Sequence, residues 1–243
     1  MVKSILFGQL MKFGGCMKKI KTIFLLIVIF SLSACIGGSG GSGGKEDSSE
    51  ELVYSVAGAW SPEPGLVFNF EMLGIDSDGI NYQGRMMRAN RDSIMHSGML
   101  VVPVESLIDI YDQFGYRDII NTMTYMDYHG HMIYFEDLST STRCVPVSPY
   151  KLPDVMRIGD FGRNNDIECT DGTWIESRWW LERDSGQRAR LVELQLIRDT
   201  FSHQVFSSSE ASTVIDKNGN IYSVEMKIDL PDYGYWIKLW SNN

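Results

Sequence analysis

Between Thr213-Val214-Ile215 and Tyr222 stands Asp216-Lys217-Asn218-Gly219, and beyond it apolar and polar residues alternate without a break to Leu230. Tyr222, Val224, Met226, Ile228 and Leu230 fall on one side, with Ser223, Glu225, Lys227 and Asp229 on the other. A period of two belongs to a strand with one buried face, and Asn-Gly is the strongest short hairpin signal because both residues tolerate positive φ. The pattern recurs. Leu66 to Met72 sets Phe68, Phe70 and Met72 opposite Asn69 and Glu71, Asp76-Ser77-Asp78-Gly79 supplies turn chemistry, and Ile80 to Gln83 alternates again. Trp174 to Glu182 and Arg190 to Ile197 flank Asp184-Ser185-Gly186-Gln187 as a third hairpin, and Tyr235 to Trp240 closes the chain with another alternating segment. Against this, Val104, Leu107, Ile108 and Tyr111 recur at helical spacing after Pro103, and Arg117 to Met126 reads as a second helix. The expected fold is mainly β, an antiparallel β-barrel or β-sandwich with a short helical excursion near 104–126. No fixed-period repeat is evident, which argues against a propeller or solenoid.

The N-terminal region is organised differently. Met17-Lys18-Lys19-Ile20-Lys21 is basic, Ile23 to Phe30 is wholly apolar, and small residues follow, the three-part layout of a secretory signal. Eight apolar residues are too few to cross a bilayer core, which takes about 20. The run ends in Leu32-Ser33-Ala34-Cys35. This resembles the lipobox of bacterial lipoproteins: a Leu, a small residue, Ala or Gly, then the acceptor Cys. The resemblance covers residues 17–35. It implies diacylglyceryl transfer to the Cys35 thiol, cleavage after Ala34 and acylation of the new amino terminus. Ile36, rather than an Asp, after the acylated Cys implies sorting to the outer membrane, with the domain on its periplasmic face. Residues 1–16 fit no part of this layout, so translation is expected to start at Met17.

Residues 35–51 comprise the acylated Cys and a tether. Gly37 to Gly44 is Gly/Ser alone, and Lys45 to Glu51 is charged and polar, a composition unable to bury enough apolar surface to offset the entropy of ordering. A Gly/Ser-type linker of about 15 residues has an r.m.s. reach of about 20 Å. Two windows in it spell Gly-x-Ser-x-Gly, around Ser39 and Ser42, but a nucleophile elbow needs a strand before and a helix after it. Residues 52–243 read as a single β-rich domain.

Hydrophobic residues make up 44% of the chain and aromatic residues 12%, too much for a disordered segment. The first 34 residues hold five lysines and no acid, leaving 17 basic against 31 acidic residues in the remainder, a charge of −14. That balance excludes a nucleic-acid partner bound through its phosphates. Cys144 and Cys169 are the cysteines left beside Cys35 after cleavage, and an oxidising compartment favours a disulfide between them.

Several constellations invite a chemical reading. His129 and His131 share a face if extended, and with Glu136, His96 or His203 they are weak candidates for a metal site; nearby Met123, Met126 and Met132 would suit Cu(I). Asp76-Ser77-Asp78-Gly79 and Asp216-Lys217-Asn218-Gly219-Asn220 look like fragments of calcium loops, but neither has the bidentate Glu and both fall where a turn is required. Ser148-Pro149-Tyr150-Lys151 spells Ser-x-x-Lys without the rest of that catalytic set, and Asp166, Glu168 and Asp171 crowd Cys169. Gly58-Ala59-Trp60 resembles the Gly-x-Trp of lipocalins, which implies a barrel with Trp60 packed across its floor; a carrier of an apolar ligand predicts a cavity lined by Phe68, Phe70, Trp60 and the methionines. Of six tryptophans, Trp179 and Trp180 are adjacent, so one faces outward on a strand. No coherent catalytic set or cofactor motif emerges. The functional expectation is a lipid-anchored envelope protein that binds another protein or a small ligand without catalysis. The alternatives are a lipocalin-like carrier of an apolar ligand and a hydrolase of envelope polymers.

Overall fold

The structure, a computed structural model, describes residues 52–56 and 61–242. The lipobox with Cys35, the tether, and Gly58-Ala59-Trp60 lie outside the described residues. Within them the chain forms sixteen strands: β1 (Val53–Ser55), β2 (Val67–Asp76), β3 (Asn81–Asn90), β4 (Ile94–His96), β5 (Met99–Asp112), β6 (Arg117–Asp127), β7 (Met132–Asp137), β8 (Arg143–Pro146), β9 (Val155–Arg157), β10 (Phe161–Arg163), β11 (Ile167–Cys169), β12 (Thr173–Arg183), β13 (Ala189–Asp199), β14 (Val205–Ile215), β15 (Ile221–Leu230) and β16 (Tyr235–Ser241).

Twelve of these close into an antiparallel barrel in the order β12-β11-β8-β7-β6-β5-β3-β2-β16-β15-β14-β13, with β13 pairing back onto β12. The closing ladder is continuous, from Thr173 opposite Asp199 to Arg183 opposite Ala189. β4 and β10 are short outriggers on β5 and β12, and β1 pairs with β9 apart from the barrel. Of the two architectures the sequence allows, the chain adopts the barrel. All three hairpins lie where turn chemistry places them. Tyr222 is the exception to the inward set of β15: it is exposed, whereas Val224, Met226, Ile228 and Leu230 are buried.

The expected helices at 104–126 are absent. That stretch is the hairpin of β5 and β6, paired from Val101 opposite Asp127 to Tyr111 opposite Arg117. The helical element among the described residues is a single 3₁₀ turn, Pro231–Tyr233. The physical reason lies in β5, where Val101, Val102, Pro103 and Val104 are all buried, as are Ile108, Asp109 and Ile110. Burial on both faces erases the period of two and leaves an apolar run that fits helical spacing equally well. On the outer face Arg117 holds Asp109 with two hydrogen bonds, at 2.7 and 2.9 Å.

One device closes four hairpins. Asp76, Asp112, Asp127 and Asp216 end β2, end β5, end β6 and follow β14, and in each an Oδ1 accepts the N–H groups of the residues two and four further on. The residue at the third position is Gly79, Gly115, Gly130 or Gly219, each at positive φ, and its N–H returns to the carbonyl of the Asp. An Asx turn followed by a glycine in the left-handed region is the chemistry such a loop demands. The motif read as a calcium-loop fragment is therefore a turn. Asp76 goes further, because its Oδ2 also accepts the hydroxyls of Tyr82 at 2.9 Å and Tyr235 at 3.0 Å, tying β2, β3 and β16 together.

The barrel has distinguishable ends. The described chain enters at one of them: β1 pairs with β9 there, and the Ser55 N–H donates to the carbonyl of Lys217 in the β14–β15 turn. Tyr54, Val56, Tyr150, Leu152 and Met156 are buried against Leu181, Ala189, Leu191 and Ile215 and stopper this entry end. A second apolar cluster fills the sector of β2, β3, β5, β6, β14, β15 and β16, around Met72, Met86, Ile108, Met226 and Ile237. Cys144 and Cys169 face each other across β8 and β11 and form a disulfide. Its loop of 25 residues corresponds to about 3 kcal/mol in the chain-entropy account.

Candidate functional site

Closure gives every wall strand an inner face, and the register shows what occupies it. On one wall Arg88 of β3 stands opposite Ser106 of β5, which stands opposite Thr122 of β6. Almost diametrically across, Glu193 of β13 stands opposite Trp179 and Ala211, and Gln195 stands opposite Ser177 and Ser209. These polar residues are buried and lie between the two apolar clusters as a band inside the barrel. A twelve-stranded barrel is wider than the eight-stranded size that side chains just fill, so its interior has room for groups that are not pure hydrocarbon.

The band sets a carboxyl and a guanidinium in a dry setting. Arg88 is 5% exposed and Glu193 3%. Burial drives the Glu193 carboxyl well above the ordinary range, with the Arg88 charge pulling the other way. Burial lowers the Arg88 guanidinium to about 10, opposed by Glu193. The Tyr150 hydroxyl, reaching in from the stopper, is raised by burial and then by the nearby Glu193. Glu193 Oε2, Gln195 Oε1 and Thr122 Oγ1 are buried without a hydrogen-bond partner among the described residues. A buried acceptor of this kind costs about 1–3 kcal/mol when nothing donates to it, which makes these oxygens the groups of the band that a donor would satisfy.

The residues singled out from the sequence are not gathered into one place. His129 lies exposed in the β6–β7 turn against the ring of Tyr128, and His131 Nδ1 sits 2.9 Å from Asp127 Oδ2. The two imidazole centroids are 6.0 Å apart. His96 is engaged with the Tyr134 hydroxyl, 2.9 Å from Nε2, and His203 packs edge-on to Trp174 at the opposite end. Glu136 remains on β7, Met126 and Met132 are core, and Met123 is half-buried on β6. No group of three or more His, Cys, Asp or Glu suited to a metal occurs among the described residues. Ser148 Oγ accepts from Asn165 Nδ2 at 2.6 Å while Lys151 pairs with Asp154, so Ser-x-x-Lys is split between two partners. Asp166 pairs with Arg163, and Asp171 caps the turn into β12 through Thr173. Phe68 and Phe70 face inward, half-buried. Trp179 packs inward on the core, and Trp180 points outward toward Glu182.

A second feature, unmarked in the sequence reading, is the rim at the far end of the barrel. Asp199 Oδ1 accepts the N–H groups of Phe201 and Ser202 at 3.0 and 2.7 Å, and Asp112 does the same for Phe114 and Tyr116. The side chains so presented are exposed, Phe201 by 90% and Phe114 by 67%, and Tyr116, Leu138 and Tyr233 join them on neighbouring loops. The signal was available in principle, since an aromatic two residues after a turn Asp is carried on the loop tip.

No protein-family model and no curated protein matches this chain.

The burial of Glu193 fixes a pH dependence. The unfolded chain releases this proton in the ordinary carboxylate range, whereas the folded protein holds it to higher pH. Its stabilising contribution is complete below the unfolded value and is lost as pH rises towards and through the folded value, at no more than about 1.4 kcal/mol per pH unit. Glu193→Gln should therefore melt at higher temperature than wild type at pH 8, with the gain shrinking towards pH 4. Parallel melting curves across that range would contradict the assignment.

Proposed function

We propose that this chain is a lipid-anchored envelope protein, held through Cys35 to the periplasmic face of the outer membrane, whose barrel binds a protein partner and catalyses no reaction. The observation that carries this reading is the placement of exposed aromatics. Phe114, Tyr116, Phe201 and Tyr233 stand at the end of the barrel opposite the entry of the tethered N-terminus. Large aromatics on loop tips fixed by hydrogen-bonded turns give contact area at low entropic cost, the property of binding loops on a rigid scaffold.

The test combines address and orientation. Cys35→Ser should move the protein from the membrane fraction to the soluble envelope fraction. With Cys35 intact, a photo-crosslinking amino acid at position 201 should yield a discrete protein adduct in living cells, and the same probe at Gln187 on the entry end should not. Continued sedimentation of Cys35→Ser with membranes overturns the anchor, and an adduct from 187 alone overturns the orientation.

A second reading, a carrier with its ligand inside the barrel, is favoured by the buried polar band. The unpartnered Glu193, Gln195 and Thr122 oxygens point to an occupant with hydrogen-bonding groups rather than a purely apolar one. Native mass spectrometry of the gently purified protein separates the two readings: a reproducible extra small-molecule mass supports the carrier, and a bare chain rejects it.

A further inference from the structure

The entry end carries an overhang that the fold does not use. β5 is the longest strand, and its last pairing with β6 at this end is Val101 opposite Asp127. Met99 and Leu100 continue past that point and are matched only by the outrigger β4, with Met95 opposite Leu100 and His96 opposite Met99. Ser97 and Gly98, both at positive φ, make the two-residue turn of a tight hairpin.

This hairpin is held in place. The ring of His96 lies 4.9 Å from that of Tyr134 and 5.5 Å from that of Tyr125, and those two tyrosines stack at 4.2 Å. The Arg143 guanidinium covers the other side of Tyr134, 4.0 Å from its centroid. With His96 docked on the outer wall against Tyr125 and Tyr134, the cross-strand pair Met95 and Leu100 takes the opposite face and is 68% and 51% exposed. Ile94 and Met99, on the His96 side of the hairpin, and the neighbouring Tyr128 are also exposed. From Ser93 to Leu100 there is no acidic or basic side chain apart from His96, in a chain of net charge −9. A fixed, uncharged, apolar surface with a free strand edge marks a contact site.

Its position identifies what it contacts. The chain before Leu52 enters at this same end, where Ser55 is bonded to Lys217. The linker of about 15 residues expected from the sequence has an r.m.s. reach of about 20 Å and about 50 Å when extended, which on average leaves the acyl chains nearer this end of the barrel than the far rim. The charge of the chain gives no attraction to anionic headgroups, and an apolar hairpin needs none. Resting on the anchor proposed above, we propose that the β4–β5 hairpin is a second membrane contact: Met95, Leu100 and their neighbours enter the interfacial region of the phospholipid bilayer and set the barrel with its entry end to the membrane and its aromatic rim away from it.

The test uses the full lipidated chain in phosphatidylcholine vesicles. Met95→Cys or Leu100→Cys supplies one labelling thiol, since Cys35 is acylated and Cys144 and Cys169 are bridged, and both positions are exposed enough to keep the fold. An environment-sensitive fluorophore there should shift to the blue and be quenched by spin-labelled lipid several-fold more than the same label at Phe114→Cys. The quenching should be insensitive to salt and to added phosphatidylglycerol. Equal, weak quenching at 95, 100 and 114 on protein that floats with vesicles overturns the hairpin contact and leaves the anchor standing. Protein that does not float with vesicles overturns the anchor and the hairpin contact together.

Discussion

The pairing of β12 with β13 is the constraint on which the other features depend. With that ladder made, the twelve-stranded sheet has no edge in its wall and each strand has one face turned to a common interior. Parity then follows along the whole chain. Arg88, Thr122, Glu193 and Gln195 come to one interior band although they stand on four strands far apart in sequence. The disulfide between neighbouring strands and the stopper of Tyr54, Tyr150 and Met156 reinforce the sector where the strands are shortest.

The turns translate this scaffold into a display. An Asp whose carboxylate holds the N–H groups two and four residues on fixes a loop without help from the core. Asp76 shows how far this reaches, since its second oxygen also gathers two tyrosine hydroxyls, both pushed up by burial and by the Asp76 carboxylate, while the contact between them raises Tyr235 and lowers Tyr82. At Asp112 this geometry, and at Asp199 a related one that holds the N–H groups two and three residues on, leaves a phenylalanine at the tip. Phe114, Tyr116, Phe201 and Tyr233 on the far rim and an uncharged apolar hairpin at the entry end make the two ends different, and the proposed membrane attachment uses that difference.

The hairpins around Asp76, Asp184 and Asp216 were legible in the sequence because a turn signal stood between alternating runs. The hairpin of β5 and β6 was not, although Asp112-Gln113-Phe114-Gly115 repeats the Asp-x-x-Gly of its neighbours. Val104 and Ile108 face inward while Leu107 and Tyr111 lie on the outer face, half-buried and exposed, so apolar side chains on both faces of β5 mimic a helix. Asp127-Tyr128-His129-Gly130 repeats the turn again, and it removes His129 from the strand on which a metal pair was envisaged. The interior band was unreadable for a related reason. In β13 the inward residues are Leu191, Glu193, Gln195 and Ile197 and the outward ones Arg190, Val192, Leu194 and Leu196, so neither face is distinguished by polarity. A wide barrel mixes polar and apolar side chains on both surfaces, and only the pairing partners reveal which is which.

Closure is tested most directly by amide hydrogen exchange. In a closed barrel both β12 and β13 are flanked on each side over much of their length, so their amides should exchange as slowly as those of β14 and β15. Rapid exchange at alternate positions along β12 or β13, the mark of a free edge, would show an open sheet and contradict the account.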